Sequence, residues 1–234
     1  MNWSGGKDSS LALNRLLRDN NYHIPYLLTS VNSAHERISM HGVRRTLLQA
    51  QASAIGIPLQ TIELPEQPSM DVYEQTMLQK VQALKADGLT HAIFGDIFLE
   101  DLKIYREQKL ASMGIDCLFP LWKEDTKELM QEFLSFGFKA IIVCVNEQYL
   151  DKSFCGRLID ENFIRDLPAN VDVCGENGEY HSFVFDGPFF KSPVPYTKGE
   201  IVARTYKAPA NADSANSMDQ PSSYNFYFCD LLPA

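Results

Sequence analysis

Apolar and polar positions along the first half of the chain alternate between two periods. Short apolar runs bounded by turn or cap residues predict strands over Pro25–Val31, Pro58–Glu63 and His91–Phe94. Between them, apolar positions recur at helical spacing. Leu11, Leu13, Leu16 and Leu17 mark a helix over Ser9–Arg18; a second covers Val43–Ile55 and closes at Gly56 before Pro58; a third covers Met70–Ala86 and closes at Gly88. The resulting β-α-β-α-β-α-β order is the pattern of a parallel sheet covered by crossover helices.

The pattern then changes. After a helical stretch over Arg106–Met113, the run Leu118-Phe119-Pro120-Leu121-Trp122 interrupts the helix period, which resumes over Glu124–Phe136 and stops at Gly137. Beyond the continuously apolar strand Ala140–Val145, the alternation loosens into loops and separated strands. This predicts an α/β domain over 1–115 and a smaller α+β domain over 116–234. Residues 207–223 lack periodicity and read as a mobile loop, while the aromatic run Tyr224–Phe228 reads as a final strand of the second domain. Only Met1, Asn2 and Trp3 precede the first Gly-rich turn, against about five residues in an ordinary strand. Either the start is assigned late or the first strand is shortened.

Composition narrows the class. The 234 residues suit one large or two small domains, at roughly 100 to 200 residues each. A net charge of -9 argues against a mainly electrostatic grip on nucleic acid or anionic lipid. No apolar run approaches the roughly 18 to 20 residues of a membrane span, and Met1-Asn2-Trp3-Ser4 does not open like a signal peptide, so a cytoplasmic protein without a membrane segment is expected. Five scattered cysteines without a C-x-x-C pair suggest free thiols rather than a disulfide framework or a zinc site.

The densest chemistry lies at Ser4-Gly5-Gly6-Lys7-Asp8-Ser9-Ser10, directly before the leucine-rich helix. Adjacent glycines let backbone approach an anion, a helix N-terminus offers free N–H groups, Lys7 adds positive charge, and Ser4, Ser9 and Ser10 add hydroxyls. The triphosphate-loop pattern G-x-x-x-x-G-K-[ST] does not fit, since its first glycine is absent and Asp8 occupies its hydroxyl position. A plain N-capping turn would explain the glycines but not Lys7 with serines on both sides.

These residues resemble the S-G-G-x-D-S signature of the PP-loop, or N-type, ATP pyrophosphatases, which matches Ser4, Gly5, Gly6, Asp8 and Ser9. The resemblance implies an adenine-nucleotide α-hydrolase-like domain (Rossmann-like, HUP type). It also implies cleavage of ATP between its α and β phosphates, transfer of AMP to a substrate oxygen, and release of pyrophosphate. On that analogy the loop grips pyrophosphate, Lys7 neutralises phosphate charge and Asp8 helps hold Mg2+.

Further segments resemble the diphthine-ammonia ligase branch. Cys174-Gly175-Glu176-Asn177-Gly178-Glu179-Tyr180-His181, followed by Asp186-Gly187-Pro188, is similar to its G-E-G-G-E-Y-[EH]-[ST] element, and Gly95-Asp96-Ile97, Tyr105-Arg106, Pro120-Leu121-Trp122, Leu150-Asp151 and Phe226–Leu232 follow the same order and spacing. The resemblance covers almost the whole chain. It implies adenylation of a carboxylate acceptor, protein or small molecule, followed by displacement of AMP by ammonia from free ammonium. Eukaryotic and archaeal members act on diphthine of elongation factor 2. Asn177 departs from the usual glycine, and Ile38–Arg44 is more similar to bacterial relatives whose acceptor the resemblance does not supply.

Read by themselves, Glu176 and Glu179 are a carboxylate pair on a Gly-flexed segment beginning at Gly175; they suit a general base or a cation contact, or simply a solvated Asn-Gly hairpin. Tyr180 could offer a ring face to a quaternary ammonium. Asp96 and Gly95 end a strand where open α/β sheets bind ligands, although Asp96 also suits a helix cap. Ser30 and His41 join the expected nucleotide set. Arg44 suits a substrate carboxylate, and Tyr105 and Arg106 a substrate contact, with a surface helix face as their alternative. Trp122 and Phe183, Phe185, Phe189 and Phe190 read as core. The expected partners are therefore ATP, Mg2+, ammonium and an acceptor, with a homo-oligomer open. A nucleotide-binding regulator without turnover is the rival reading, and a tRNA-modifying PP-loop enzyme ranks below it.

Overall fold

The computed structural model of the chain describes residues 1–19, 21–38, 41–66, 68–207 and 223–234. In the first half, α1 (Lys7–Asp19) is followed by β1 (Leu27–Asn32), β2 (Arg37–Ile38), α2 (Arg45–Ile55), β3 (Leu59–Leu64), α3 (Met70–Ala86), β4 (His91–Ile93), α4 (Glu100–Ala111) and β5 (Asp116–Leu118). β1 pairs in parallel with β3 from Leu27–Leu59 to Asn32–Leu64, and β4 pairs in parallel with β5. Met1–Trp3 join these two sheets. Trp3 N donates to Leu28 O at 2.7 Å, Leu28 N to Met1 O at 2.8 Å, and Asn2 N to Ile93 O at 2.8 Å. The three residues thus lie between β1 and β4, and the chain passes from them directly into the Ser4–Ser10 loop.

The helices form where the apolar spacing predicted, with shifted ends. α1 begins two residues before the expected Ser9, so Lys7 and Asp8 belong to its first turn. α4 begins at Glu100 rather than Arg106, with Glu100 and Asp101 complementing the positive end of the helix dipole. β2 is an antiparallel two-residue strand against the end of β1 that was not predicted. The expected boundary at 115/116 falls just before β5, whose partner is β4.

The second half contains α5 (Thr126–Ser135), β6 (Lys139–Asn146), α6 (Glu161–Asp166), β7 (Tyr180–Asp186), β8 (Tyr196–Lys207) and β9 (Ser223–Pro233). Its sheet is antiparallel in the order β7-β6-β9-β8. The final strand extends beyond Tyr224–Phe228 in both directions. Of the expected 207–223 loop, Lys207 ends β8 and Ser223 opens β9; residues 208–222 lie outside the described residues.

One principal core runs through both halves. Leu11 and Leu13 of α1, Leu47 and Leu48 of α2, Leu129 and Phe133 of α5, Ile142 of β6 and Phe183 of β7 all contribute to it. Phe185, Phe189 and Phe190 pack against this core, but Trp122 is only half-buried, with Lys103 and Lys123 flanking its ring. A smaller cluster of Val81, Phe94, Leu110 and Ile115 lies under α3 and α4. Arg15 of α1 bridges Glu124 and Glu132, linking α1 to α5 and the turn before it.

Candidate functional site

The Ser4–Ser10 loop is held from two sides. Gly5 has φ +76°, and a Cβ there would meet Leu48 Cδ1 at 2.7 Å; at Gly6 a Cβ would meet Ser182 O at 3.0 Å and His41 Cε1 at 3.3 Å. Both glycines therefore let the loop pack between α2 and β7. Gln51, fully buried on α2, fastens it: Nε2 donates to Gly5 O at 3.0 Å and to Val184 O, and Oε1 accepts from Trp3 Nε1 at 2.8 Å. β7 completes the clamp through Val184 N to Gly5 O at 2.8 Å and Ser182 Oγ, which accepts from Lys7 N at 3.1 Å. Gln51 and Ser182 were not among the expected site residues, because neither carries a motif and both act across long sequence separations.

The expected hydroxyls divide by role. Ser4 Oγ accepts from Gly6 N and lies 3.2 Å from Ser9 Oγ. Ser9 and Ser10 donate to Gly6 O at 3.0 and 2.9 Å, and Ser10 is fully buried. The Ser10 hydroxyl, like that of Ser9, back-bonds the loop carbonyl in the ligand-free structure. The amides of Asp8 and Ser9 have no intrahelical acceptor in the first turn and no other acceptor among the described residues.

Charge converges in front of this loop. Lys7, only 5% exposed, directs Nζ to both Asp8 oxygens at 2.8 Å. Burial alone would lower the Lys7 ammonium, but Asp8, with smaller contributions from Cys174 and Glu176, outweighs it and raises the group above the ordinary lysine value. Gly95 lies so close that a Cβ there would meet Asp8 C at 2.9 Å and Ser9 N at 3.0 Å. Glycine at this position thus brings Asp96 up to the first turn of α1. Burial raises the Asp96 carboxyl above its usual range despite its ion pair with Arg106, whose guanidinium also covers the Phe94 ring at 4.3 Å.

Glu176 enters from the second half. Its Oε1 accepts from Ile97 N at 2.7 Å, and burial, reinforced by Asp8 and Asp96, pushes its carboxyl up to about 7. Lys7, Asp8, Asp96, Arg106 and Glu176 are therefore one charged group drawn from both halves. A carboxyl near 7 can exchange a proton at neutral pH, which an ordinary exposed glutamate does poorly.

Several expected contacts go elsewhere. Tyr180 is 2% exposed, its ring edge-on to Phe163 and 5.4 Å from Lys7 Nζ. A quaternary ammonium is the expected cation over this ring; in the ligand-free structure the cation there is the chain's own Lys7. Glu179 is 1% exposed and accepts from Asp172 N, Asn177 N and Asn177 Nδ2 at 3.0, 2.8 and 3.1 Å. Its carboxylate, expected as a catalytic group, holds its own turn in the ligand-free structure. Arg44 makes the bidentate pair expected of it, but with Asp230, which Arg37 also contacts. Tyr105 is 40% exposed on α4, beside Lys109, and is a surface residue there.

The remaining candidates lie around the loop. His41 precedes α2, stacks on His181 at 4.5 Å between ring centroids, and approaches Ser182 O at 3.4 Å. Burial lowers its pKa to about 4, so it is neutral at physiological pH, and burial lowers His181 as well. His181 Nε2 is buried without a partner among the described residues. Ser30 is half-buried on β1, opposite Ile62 of β3. Gly175 has φ +68°, and a Cβ there would meet the Tyr180 ring at 2.8 Å, so only glycine fits. Asn177 is not among the positive-φ residues, and its side chain adds a donor to Glu179 in place of the usual glycine.

The donor set fits a magnesium-bound polyphosphate. Lys7 and the amides of Asp8 and Ser9 supply positive and donor groups, and Asp8 and Asp96 supply carboxylates of the number that Mg2+ takes alongside phosphate oxygens. Among the described residues no group of three or more His, Cys, Asp and Glu is arranged to hold a metal by itself. No helix among them is long and apolar enough to cross a membrane.

Two family models match this chain in succession. Residues 1–132 match the family model for the diphthamide synthase N-terminal domain, and residues 125–207 match that for the diphthamide synthase C-terminal domain. A diphthine–ammonia ligase of Bos taurus is 31% identical over 150 residues, covering 62% of this chain and 54% of that protein. Its human counterpart is 29% identical over 143 residues, covering 59% and 52%. The protein of that name from Saccharomyces cerevisiae is 24% identical over 224 residues, covering 80% of this chain and 33% of its own length. The chain spans about half the length of the mammalian relatives it matches.

Proposed function

The chain belongs to the diphthamide synthase family, and from that premise we propose that it is an ATP-dependent ligase that forms an amide from a carboxylate and ammonia. In this reading residues 1–115 are a HUP-type nucleotide domain and residues 116–234 supply the acceptor side, in the cytoplasm. ATP is cleaved between the α and β phosphates, AMP is placed on the acceptor carboxylate, and ammonia displaces it. Bound Mg2+ would neutralise phosphate charge.

The residues take separate parts. Lys7 and the amides of Asp8 and Ser9 stabilise negative charge on the departing pyrophosphate, in a site already organised before substrate arrives. Asp8, with Asp96 beside it, would hold Mg2+. Arg106 keeps Asp96 in place. Glu176, with its carboxyl near 7, accepts a proton from ammonium and leaves the amine free to attack. Ser30 and His41 remain on the nucleotide side.

The observation that carries this reading is Glu176 reaching from the second half to the Ile97 amide, beside Lys7 and Asp8. Phosphorus NMR of the protein with Mg-ATP and ammonium, with and without an extract of its own cells, tests it. AMP and pyrophosphate appearing only with extract, and not with Asp8→Asn, are the expected result. ADP and phosphate would overturn the assignment. Bound but unchanged ATP would favour a nucleotide-dependent regulator.

A further inference from the structure

The turn from Asp172 to Glu179 contains two interlocked carboxylates that the reaction itself does not use. Glu179 accepts from the Asp172 amide and the Asn177 amide, one on each of its oxygens. Asp172 Oδ1 accepts in turn from Cys174 N at 3.0 Å and Glu176 N at 3.2 Å, while Asp172 Oδ2 accepts from Thr126 Oγ1 at 2.7 Å. Cys174 Sγ, at 3.3 Å from Thr126 O, adds a second tie to the first residue of α5. Each carboxylate thus organises backbone belonging to the other's segment, and the whole turn is anchored to a helix of the main core.

A glutamate on a Gly-flanked turn would ordinarily sample many rotamers and backbone states. Glu176 instead spans from this turn to the amide of Ile97, a residue that is itself fully buried. Its backbone N–H is held by Asp172, and the amide of the next residue, Asn177, is held by Glu179. We propose that Asp172 and Glu179, anchored by Thr126, are positioning residues that fix Glu176 against the Ile97 amide and the Lys7–Asp8 pair. The proposal rests on the ligase reading for what Glu176 does, but not for how it is held.

The two carboxylates differ in what they tolerate. Both Glu179 oxygens accept from N–H groups, so Glu179→Gln turns an amide NH2 against a backbone donor. Asp172→Asn is milder, because Oδ1 is retained and the Thr126 hydroxyl can reverse to accept from the new NH2. The test is residue-resolved amide hydrogen exchange of the ligand-free protein, with Glu176→Ala as the reference for a freed Ile97 amide. Glu179→Gln and Asp172→Ala are expected to accelerate Ile97 exchange by about tenfold, the scale of one net hydrogen bond, with β6 amides unchanged. Asp172→Asn should stay within about threefold of wild type on the same scale, and Thr126→Val should fall between. Wild-type protection at Ile97 in any of Glu179→Gln, Asp172→Ala or Thr126→Val that keeps its β6 protection would overturn the proposal.

A second readout separates positioning from general stabilisation. In the amide-forming assay, Glu179→Gln and Asp172→Ala should lower kcat while leaving the KM for ATP unchanged, and Asp172→Asn should restore most of the loss seen in Asp172→Ala. Because exchange needs neither ATP nor acceptor, a wild-type protein that never forms AMP would remove the ligase reading while leaving the positioning result standing. A uniform rise in the KM for ATP would instead assign the turn to nucleotide binding and overturn the proposal.

Discussion

The two halves of the molecule are built to different standards. In the parallel half, β4 and β5 have three residues each, α3 buries only Val81 and Leu84 among its seventeen residues, and α4 buries only Leu110. In the antiparallel half, β6 is buried at seven of its eight positions, and Phe163, Phe183 and Tyr180 are almost fully enclosed. Yet the loop with the nucleotide chemistry belongs to the first half. The difference is resolved at Gln51, Ser182, Val184 and Glu176, through which β7 and the turn before it support that loop. Only the α3–α4 flank of the parallel half is lightly packed; the densely packed half supplies Glu176 and, with Gln51 of α2, holds the loop still.

The largest effect expected from disturbing this division is chemical. Asp8→Asn should lower acceptor-dependent AMP formation by about 100- to 1000-fold, the scale seen on removing one preorganised electrostatic group. Initial rates at saturating Mg-ATP measure it. The same change leaves buried Lys7 without its carboxylate, so a loss of stability should accompany it. Wild-type rates in Asp8→Asn would remove Asp8 from the site.

Next comes the clamp itself. Gln51→Leu removes the acceptor of Trp3 Nε1 and the side-chain donor shared by Gly5 O and Val184 O from a fully buried position, leaving Gly5 O with Val184 N. A loss of about 2 to 4 kcal/mol in denaturant unfolding is expected, since buried polar groups are left unpaired. If the halves were independent, only the first-half transition would shift; the shared core predicts one cooperative shift.

Glu176 gives a pH-dependent test of the junction. Its folded-state pKa of about 7 lies above the ordinary value of 4.5, so the fold favours the protonated carboxyl. That contribution is fully present below about pH 4.5 and is lost as pH rises through 7. Glu176→Gln should therefore exceed wild type by about 2 to 3 kcal/mol at pH 8 and converge with it near pH 4. Parallel stability curves across that range would mean that Glu176 is more solvated than its contact with Ile97 implies.

The smallest effect belongs to the exposed flank. Leu78 is 41% exposed on α3, so Leu78→Gln should change stability by less than about 0.5 kcal/mol. A larger loss in urea unfolding would show that α3 contributes more to the first half than its two buried side chains suggest.

Legibility in the sequence followed range of interaction. Met70–Ala86 was readable to its ends because Ser69 caps α3 locally and Gly88 follows it closely. The Ser4–Ser10 loop was readable because its chemistry is contiguous. Asp96 and Arg106, ten residues apart, are both candidates in the sequence, but their pairing depends on α4 beginning at Glu100, more than a turn ahead of the apolar spacing that starts at Arg106. Contacts across the chain could not be read. Arg44 has a bidentate partner 186 residues away in Asp230, and Gln51 meets Val184 133 residues on. Tyr180 and Glu179 share a motif with Glu176, yet Tyr180 opens β7 packed edge-on to Phe163 and Glu179 turns back onto the amides of its own turn. A motif names a neighbourhood; only the fold decides which of its residues face substrate.

The most direct test of the central claim follows nitrogen. The protein, Mg-ATP, an extract of its own cells and 15N-ammonium should yield AMP together with an equal amount of new 15N primary amide, resolved by proton–nitrogen correlation, with neither product from Asp8→Asn. AMP and pyrophosphate without 15N incorporation would contradict amide formation at this site.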